Sequence, residues 1–92
     1  MITDQEVEKK LVAFICDNFM VEPDEFNYEE SLVDQGVIDS IGLVEISAFM
    51  EQEFGIKVAE EDMDRKNFGS VKKMVAFIIR KSAKGNLSAV QK

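Results

Sequence analysis

Apolar residues recur in three blocks at helical spacing, separated by polar stretches that have no period. In the first block Val7, Leu11, Phe14 and Ile15 share one face. Thr3-Asp4-Gln5-Glu6 ahead of them has the form of a capping box, with Thr3 as N-cap and Glu6 three residues on. This predicts a helix over Asp4–Phe19, with Glu6 and Lys10 as a surface pair four apart. In the second block Leu43, Ile46, Met50 and Phe54 stand at i, i+3, i+7 and i+11. Asp39 as N-cap and Gly55 as a left-handed C-terminal cap bound a predicted helix Ser40–Phe54. In the third, Val71, Met74, Val75, Ile78 and Ile79 form the stripe, Phe77 widens it and Ser70 caps it. Gly85 and Asn86 end that pattern, so residues 1–84 read as the domain and 85–92 as a flexible tail.

The connections differ in kind. Residues 20–38 lose all periodicity, and Pro23, Asn27, Ser31 and Gly36 mark a long loop. Val21, Phe26, Tyr28, Leu32, Val33, Val37 and Ile38 are spaced to pin it across the helix ends, which predicts a packed crossing and not a linker. Residues 60–64 fit one or two helical turns, with Ile56, Val58 and Met63 as the apolar members nearby, and Phe68 reads as an anchoring aromatic. Three principal helices and one short one make an all-α bundle with a long first connection. Ninety-two residues form one domain whose modest core leaves no room for a deep catalytic cleft.

Composition removes whole classes of chemistry. The chain has no histidine, so the usual general base of a serine or cysteine nucleophile and the commonest transition-metal ligand are both missing. Ile38-Asp39-Ser40-Ile41-Gly42 also lacks the first glycine of a nucleophile elbow. Asp62 and Asp64 open like a calcium loop, but Lys66, Asn67 and Lys73 then occupy the positions of an acid, the required glycine and the final glutamate. The lone Cys16 cannot form an intrachain disulfide, and its apolar neighbours predict a buried thiol. No apolar run is long enough to span a membrane and no export signal is present, so a cytoplasmic location follows.

Charge is divided unevenly. Residues 1–64 hold 18 acidic and 3 basic side chains, net −15, while residues 65–92 hold 8 basic and none acidic, net +8. An acidic body repels nucleic acid, favours a monomer and suits protein partners with basic patches. The basic residues fall on the last helix, where they read as its solvated face and complement the C-terminal dipole.

One junction carries candidate chemistry. With Asp39 as N-cap, Ser40 is the first residue of the second helix, its hydroxyl in solvent beside unpaired N–H groups at the positive helix end. Such a place suits a phosphate joined through the serine oxygen. On spacing alone, Asp39 and Ser40 read first as plain capping residues, as most Asp-Ser pairs before an apolar run are.

Asp39-Ser40-Ile41 followed by Leu43-Val44-Glu45-Ile46 resembles the phosphopantetheine attachment motif of acyl carrier proteins, an Asp-Ser-Leu with an apolar-Glu-apolar run after it. The flanks agree in order and spacing: Leu32-Val33-Asp34-Gln35-Gly36 before the motif, then Glu51-Gln52-Glu53-Phe54-Gly55-Ile56 and Asn67-Phe68-Gly69-Ser70-Val71 after it. The resemblance covers residues 3–83. It implies the acyl-carrier-protein-like four-helix bundle, and 4′-phosphopantetheine attached to Ser40 with Asp39 as the flanking motif residue. It also implies a carrier, not an enzyme: the arm would be installed from coenzyme A by a phosphopantetheinyl transferase. A thioester-bound acyl or aminoacyl cargo would come from an adenylating ligase or an acyltransferase and pass to a downstream synthase or transferase.

Carried over by position, Asp39, Val44, Glu45, Ala48 and Glu51 would form the partner-binding face. Gly42 stands where many members have an acid, and Gln52 occupies the second half of an acidic pair, so this face is less charged than that of a typical fatty-acid carrier. Gly42 also predicts a mobile first turn. The wording of residues 36–46 looks closer to freestanding carriers of specialised pathways, in the fatty acid, polyketide or nonribosomal peptide class, than to a housekeeping carrier. D-alanine carriers are the alternative within the family. Outside the family, the alternative is an unmodified helical adaptor that uses the same acidic face.

Overall fold

A computed structural model describes residues 3–91, with the side chains of Arg65 and of residues 83–91 excluded. Four helices follow in order: α1 (Asp4–Phe19), α2 (Ser40–Phe54), α3 (Arg65–Phe68) and α4 (Val71–Gln91), with a 3₁₀ turn at Glu60–Asp62 before α3. No strand occurs among the described residues. α4 packs most extensively on α1, and also meets α3 and α2.

The caps follow the local sequence. Thr3 Oγ1 accepts from the Glu6 amide at 3.2 Å, and its own proton goes to the Glu6 carboxylate, also at 3.2 Å. Half of the capping box is therefore closed through the side chain. α1 stops at Met20, which adopts the left-handed conformation at φ 56° although it is not glycine. α2 ends as its pattern predicts, with Gly55 at φ 66° and its amide returning to the Glu51 carbonyl. Ser70 Oγ accepts from the Lys73 amide at 3.2 Å and starts α4.

Val7, Leu11 and Ile15 of α1, Ile46 and Met50 of α2, and Val71, Met74, Phe77 and Ile78 of α4 are all fully buried. The loop between α1 and α2 is part of this core, since Phe26, Leu32 and Ile38 are buried with it. Its backbone is tied to the start of α4: the Leu32 amide donates to the Gly69 carbonyl and the Lys72 amide to the Tyr28 carbonyl, each at 3.0 Å. Gln35 organises it internally, accepting from the Asn27 amide at 2.7 Å and donating to the carbonyls of Asn27 and Glu30. Polar backbone in a crossing loop must find partners when it packs, and these bonds supply them.

Several sequence expectations change. The core face of α2 is Gly42, Ile46, Ser47 and Met50, with Leu43 and Phe54 only half-buried, so the stripe is rotated toward Gly42. The reason is contact with the loop and with the end of α1: a Cβ at Gly42 would lie 3.0 Å from Ile38 Cβ and 3.1 Å from the Phe19 ring. The expected loose first turn is therefore a close-packed one. Val33, expected to pin the loop, is 42% exposed. Lys10 pairs with Glu53 of α2 at 3.1 Å and not with Glu6, because the partner across the helix pair is within reach.

The short helix expected over 60–64 is present as the 3₁₀ turn Glu60–Asp62, and α3 adds a further turn after it, where the Asp64 carboxylate accepts from the Asn67 amide at 3.1 Å. The helical backbone of α4 runs through Gly85 to Gln91, past its predicted end, since one glycine costs only about 1 kcal/mol and no proline follows. Lys92, part of the proposed tail, lies outside the described residues. The basic face of α4 is more than solvated surface: Lys72 pairs with Glu8, and Lys81 with Asp62, each at 3.2 Å.

Candidate functional site

Ser40 is exposed at the first position of α2. The preceding Asp39 is extended, and its Oδ1 accepts from the Gly42 amide at 2.8 Å, as its place in the sequence predicts. The Asp39 carbonyl takes the Leu43 amide at 3.1 Å. Among the described residues these two bonds leave the Ser40 and Ile41 N–H groups at the open, positive end of a 15-residue helix. Below that turn the Phe19 ring and Ile38 fill the space beside Gly42, so the serine stands on a packed base. An exposed hydroxyl with two free amides beside it fits a phosphodiester substituent on its oxygen.

A cavity of about 250 Å³ opens next to Ser40. Ser31 and Val33 of the loop form one wall and Ser40 and Leu43 of α2 a second. Met63, Asp64, Phe68 and Gly69 close the third side. Its lining is largely apolar, and it lies between α2 and the segment before α4.

The expected partner face is only partly as read. Val44, Glu45 and Ala48 are exposed on one side of α2, with Val44 at 57%. Glu51 extends that side but is engaged: its Oε2 accepts from the Val58 amide at 2.9 Å and ties the end of α2 to the following segment. Asp39 is exposed, yet one of its carboxylate oxygens is spent on the cap. Sequence reasoning passed over Ile41, which is 70% exposed and lies three and four residues before Val44 and Glu45, and so on their face. Helical spacing from Val44 could have found it. Val33 could not be found that way, because a loop has no period to place it. Three of the four large apolar side chains exposed among the described residues, Val33, Ile41 and Val44, thus surround or adjoin Ser40.

Cys16 lies away from this site, half-buried in a second groove between α1 and the loop that Tyr28 also lines. It is less buried than predicted, because the loop covers α1 only in part. Burial pushes its thiol pKa up, and the carboxylates of Glu22, Asp17 and Glu25 add to the effect. A protonated thiol is a poor nucleophile. Among the described residues no cluster of three or more carboxylate or cysteine side chains is arranged to hold a metal ion. No described helix is long and apolar enough to cross a membrane.

Residues 9–78 match the family model described as a phosphopantetheine attachment site. An acyl carrier protein of Rhodococcus erythropolis is 32% identical over 83 residues, spanning 90% of this chain and 89% of the relative. The meromycolate extension acyl carrier protein of Mycobacterium leprae is 34% identical over 62 residues, spanning 67% of this chain and 54% of the longer relative. Among solved structures, an acyl carrier protein from Enterococcus faecalis superposes with a TM-score of 0.71 at 28% identity, covering 87% of this chain and 99% of that one. KstB-PCP in its apo form gives a TM-score of 0.59 at 26% identity, covering 84% and 87%.

Proposed function

The chain belongs to the phosphopantetheine-bearing family of acyl and peptidyl carrier proteins, and from that premise we propose that Ser40 is the residue that bears the arm. The cofactor of such a carrier is covalent 4′-phosphopantetheine. When bound it supplies a terminal thiol that holds an acyl or aminoacyl group as a thioester. The observation that carries the assignment is the exposure of Ser40 at the capped start of α2, with free amides beside it and a cavity at its flank.

Each neighbouring residue then has a task. Asp39 closes the first turn and keeps the serine hydroxyl outward. Gly42 lets the turn sit on Phe19 and Ile38, which holds Ser40 at a constant place relative to α1. With a phosphopantetheinyl transferase as catalyst, Ser40 Oγ would lose its proton and form a bond to the pantetheine-bearing phosphorus of coenzyme A, while the pyrophosphate P–O bond breaks and adenosine 3′,5′-bisphosphate leaves, its oxygen taking up the charge or the proton. Cys16 has no part in this, since it lies in another groove.

Ile41, Val44, Glu45 and Ala48 form the surface offered to partner enzymes, with Asp39 and Glu51 at its two ends. Partners of this carrier meet apolar side chains first and only one unengaged carboxylate, Glu45. That thinned charge supports a carrier of a specialised pathway, loaded by an adenylating ligase or acyltransferase and unloaded by a synthase or transferase. The domain itself performs no turnover in this reading.

The test is the intact mass of the protein after incubation with coenzyme A, magnesium and a broad-specificity phosphopantetheinyl transferase, with Ser40→Ala alongside. Wild type should gain one phosphopantetheinyl group and the variant none, while both give the same circular dichroism. Absence of any gain with several transferases, on a folded sample, refutes the assignment and moves the unmodified adaptor into first place.

A further inference from the structure

The segment between α2 and α4 has little structure of its own. A three-residue 3₁₀ turn and a four-residue helix are far below the length at which a helix supports itself, so outside contacts must hold them. Those contacts come from the middle of α4. Lys81 Nζ lies 3.2 Å from Asp62 Oδ2, and the same carboxylate oxygen accepts from the Ala59 amide at 3.0 Å. Asn67 Nδ2 donates to the Asp62 carbonyl at 2.9 Å, and Arg80 Nη2 donates to Asn67 Oδ1 at 2.8 Å. Lys81, Asp62, Asn67 and Arg80 thus form one row. Beneath it Phe68 packs on Phe77 with ring centroids 5.3 Å apart, and both cations lie within 6 Å of the Phe77 ring.

This segment also carries Met63, Asp64 and Phe68, which wall the cavity beside Ser40. Across the cavity stands Leu43 of α2, and the polar tie from α2 to the segment is at its far end, where Glu51 holds Val58. The wall is therefore fastened to α4 and not to the helix it faces. We propose that Arg80 and Lys81 are a polar clasp on residues 59–68 and set how readily the cavity beside Ser40 opens. Release of the clasp lets the segment swing about Val58 while α1, α2 and α4 stay packed. Each tie is partly exposed and worth a factor of about five at most, so two of them make a fastening that thermal motion can undo. That the cavity then shelters an apolar cargo borne by Ser40 rests on the function proposed above.

The experiment compares Lys81→Met and the double variant Arg80→Met/Lys81→Met with wild type, all unmodified and full-length. Lys72→Met serves as control, since it removes an α4 ion pair of similar length that joins Glu8 of α1, away from the cavity. Amide hydrogen exchange is read at Met63 and Phe68, whose N–H groups bond within the segment to the carbonyls of Glu60 and Asp64. Exchange there should be about fivefold faster in Lys81→Met and roughly tenfold faster in the double variant, with α1 core amides unchanged. A neutral apolar fluorophore, N-phenyl-1-naphthylamine, should bind the double variant more tightly than wild type.

Unchanged exchange at Met63 and Phe68 overturns the clasp, as does equal acceleration by Lys72→Met. Loading wild type and the double variant from octanoyl-coenzyme A and timing thioester cleavage by hydroxylamine gives the functional readout. Cleavage should be faster when the clasp is cut. If wild type takes no arm, the reading of Ser40 fails while the exchange data still decide the clasp.

Discussion

Gly42→Ala sets two effects against each other at a single atom. In an exposed helix interior the change would stabilise by about 1 kcal/mol, because alanine loses less backbone freedom on folding. Here the added methyl would sit 3.0 Å from Ile38 Cβ and 3.1 Å from two atoms of the Phe19 ring, where ordinary contact begins near 3.5 Å. The Phe19 ring is half-buried at the end of α1 and can swing by a few tenths of an ångström. Ile38 Cβ cannot, since it is one bond from a backbone that is packed against Leu32 and leads directly into the cap. Overpacking of this kind costs about 1–3 kcal/mol, so the net expectation is a loss of about 1 kcal/mol.

Urea unfolding followed by circular dichroism at 222 nm measures it, and the thermal midpoint should fall by about 4–8 °C. The double variant Phe19→Leu/Gly42→Ala should lose less than the sum of the single changes, because the smaller side chain removes the ring's share of the clash and leaves only the contact with Ile38. A Gly42→Ala protein more stable than wild type would refute the packing argument. It would restore the view of this glycine as a weak point of the first turn.

Other outcomes follow from single contacts. Asp39→Ala removes the acceptor for the Gly42 amide and should cost about 1 kcal/mol, whereas Asp39→Asn should retain most of it; thermal melts compare the two. The Asp62 carboxyl is held below the usual carboxylate range, first by the Ala59 amide and then by Lys81. The unfolded chain therefore binds the proton more readily, and this contribution is present above about pH 4 and lost as pH falls through the lower, folded value. Asp62→Asn should flatten the dependence of the midpoint on pH below about 4, and an unchanged slope would dismiss the role. Cys16 in the native protein should react with iodoacetamide at pH 7.5 more slowly than in urea, because burial and nearby acids keep its thiol protonated. Ile41→Asp should leave the melting temperature within about 0.5 kcal/mol equivalent yet weaken partner binding, since the side chain is exposed beside Ser40.

The helices and their caps were legible in the sequence because their causes are local. Thr3, Asp39, Gly55 and Ser70 each act within four residues of themselves, and an apolar stripe reports the buried face of its own helix. The place of Ser40 at the start of α2 was legible for the same reason, as a residue standing just after a cap. The face of α2 was read only in part: spacing grouped Val44, Glu45 and Ala48, but it could not show that Glu51 is occupied by Val58, seven residues away across a turn.

What the chain could not disclose from its order alone were contacts between residues far apart along it. Gly42 reads locally as a helix weakener, and it becomes a packing residue only when α1 brings Phe19 beneath it. Arg80 and Lys81 read as a solvated face until the 59–68 segment lies against them. The cavity beside Ser40 is built by three stretches of chain, and no pattern within any one of them encodes the gap between them. Local hydrogen bonding and periodicity determine which residues are helical and which begin a helix. The position of one element on another depends on side-chain volume and reach at their junction, and only the folded chain decides that.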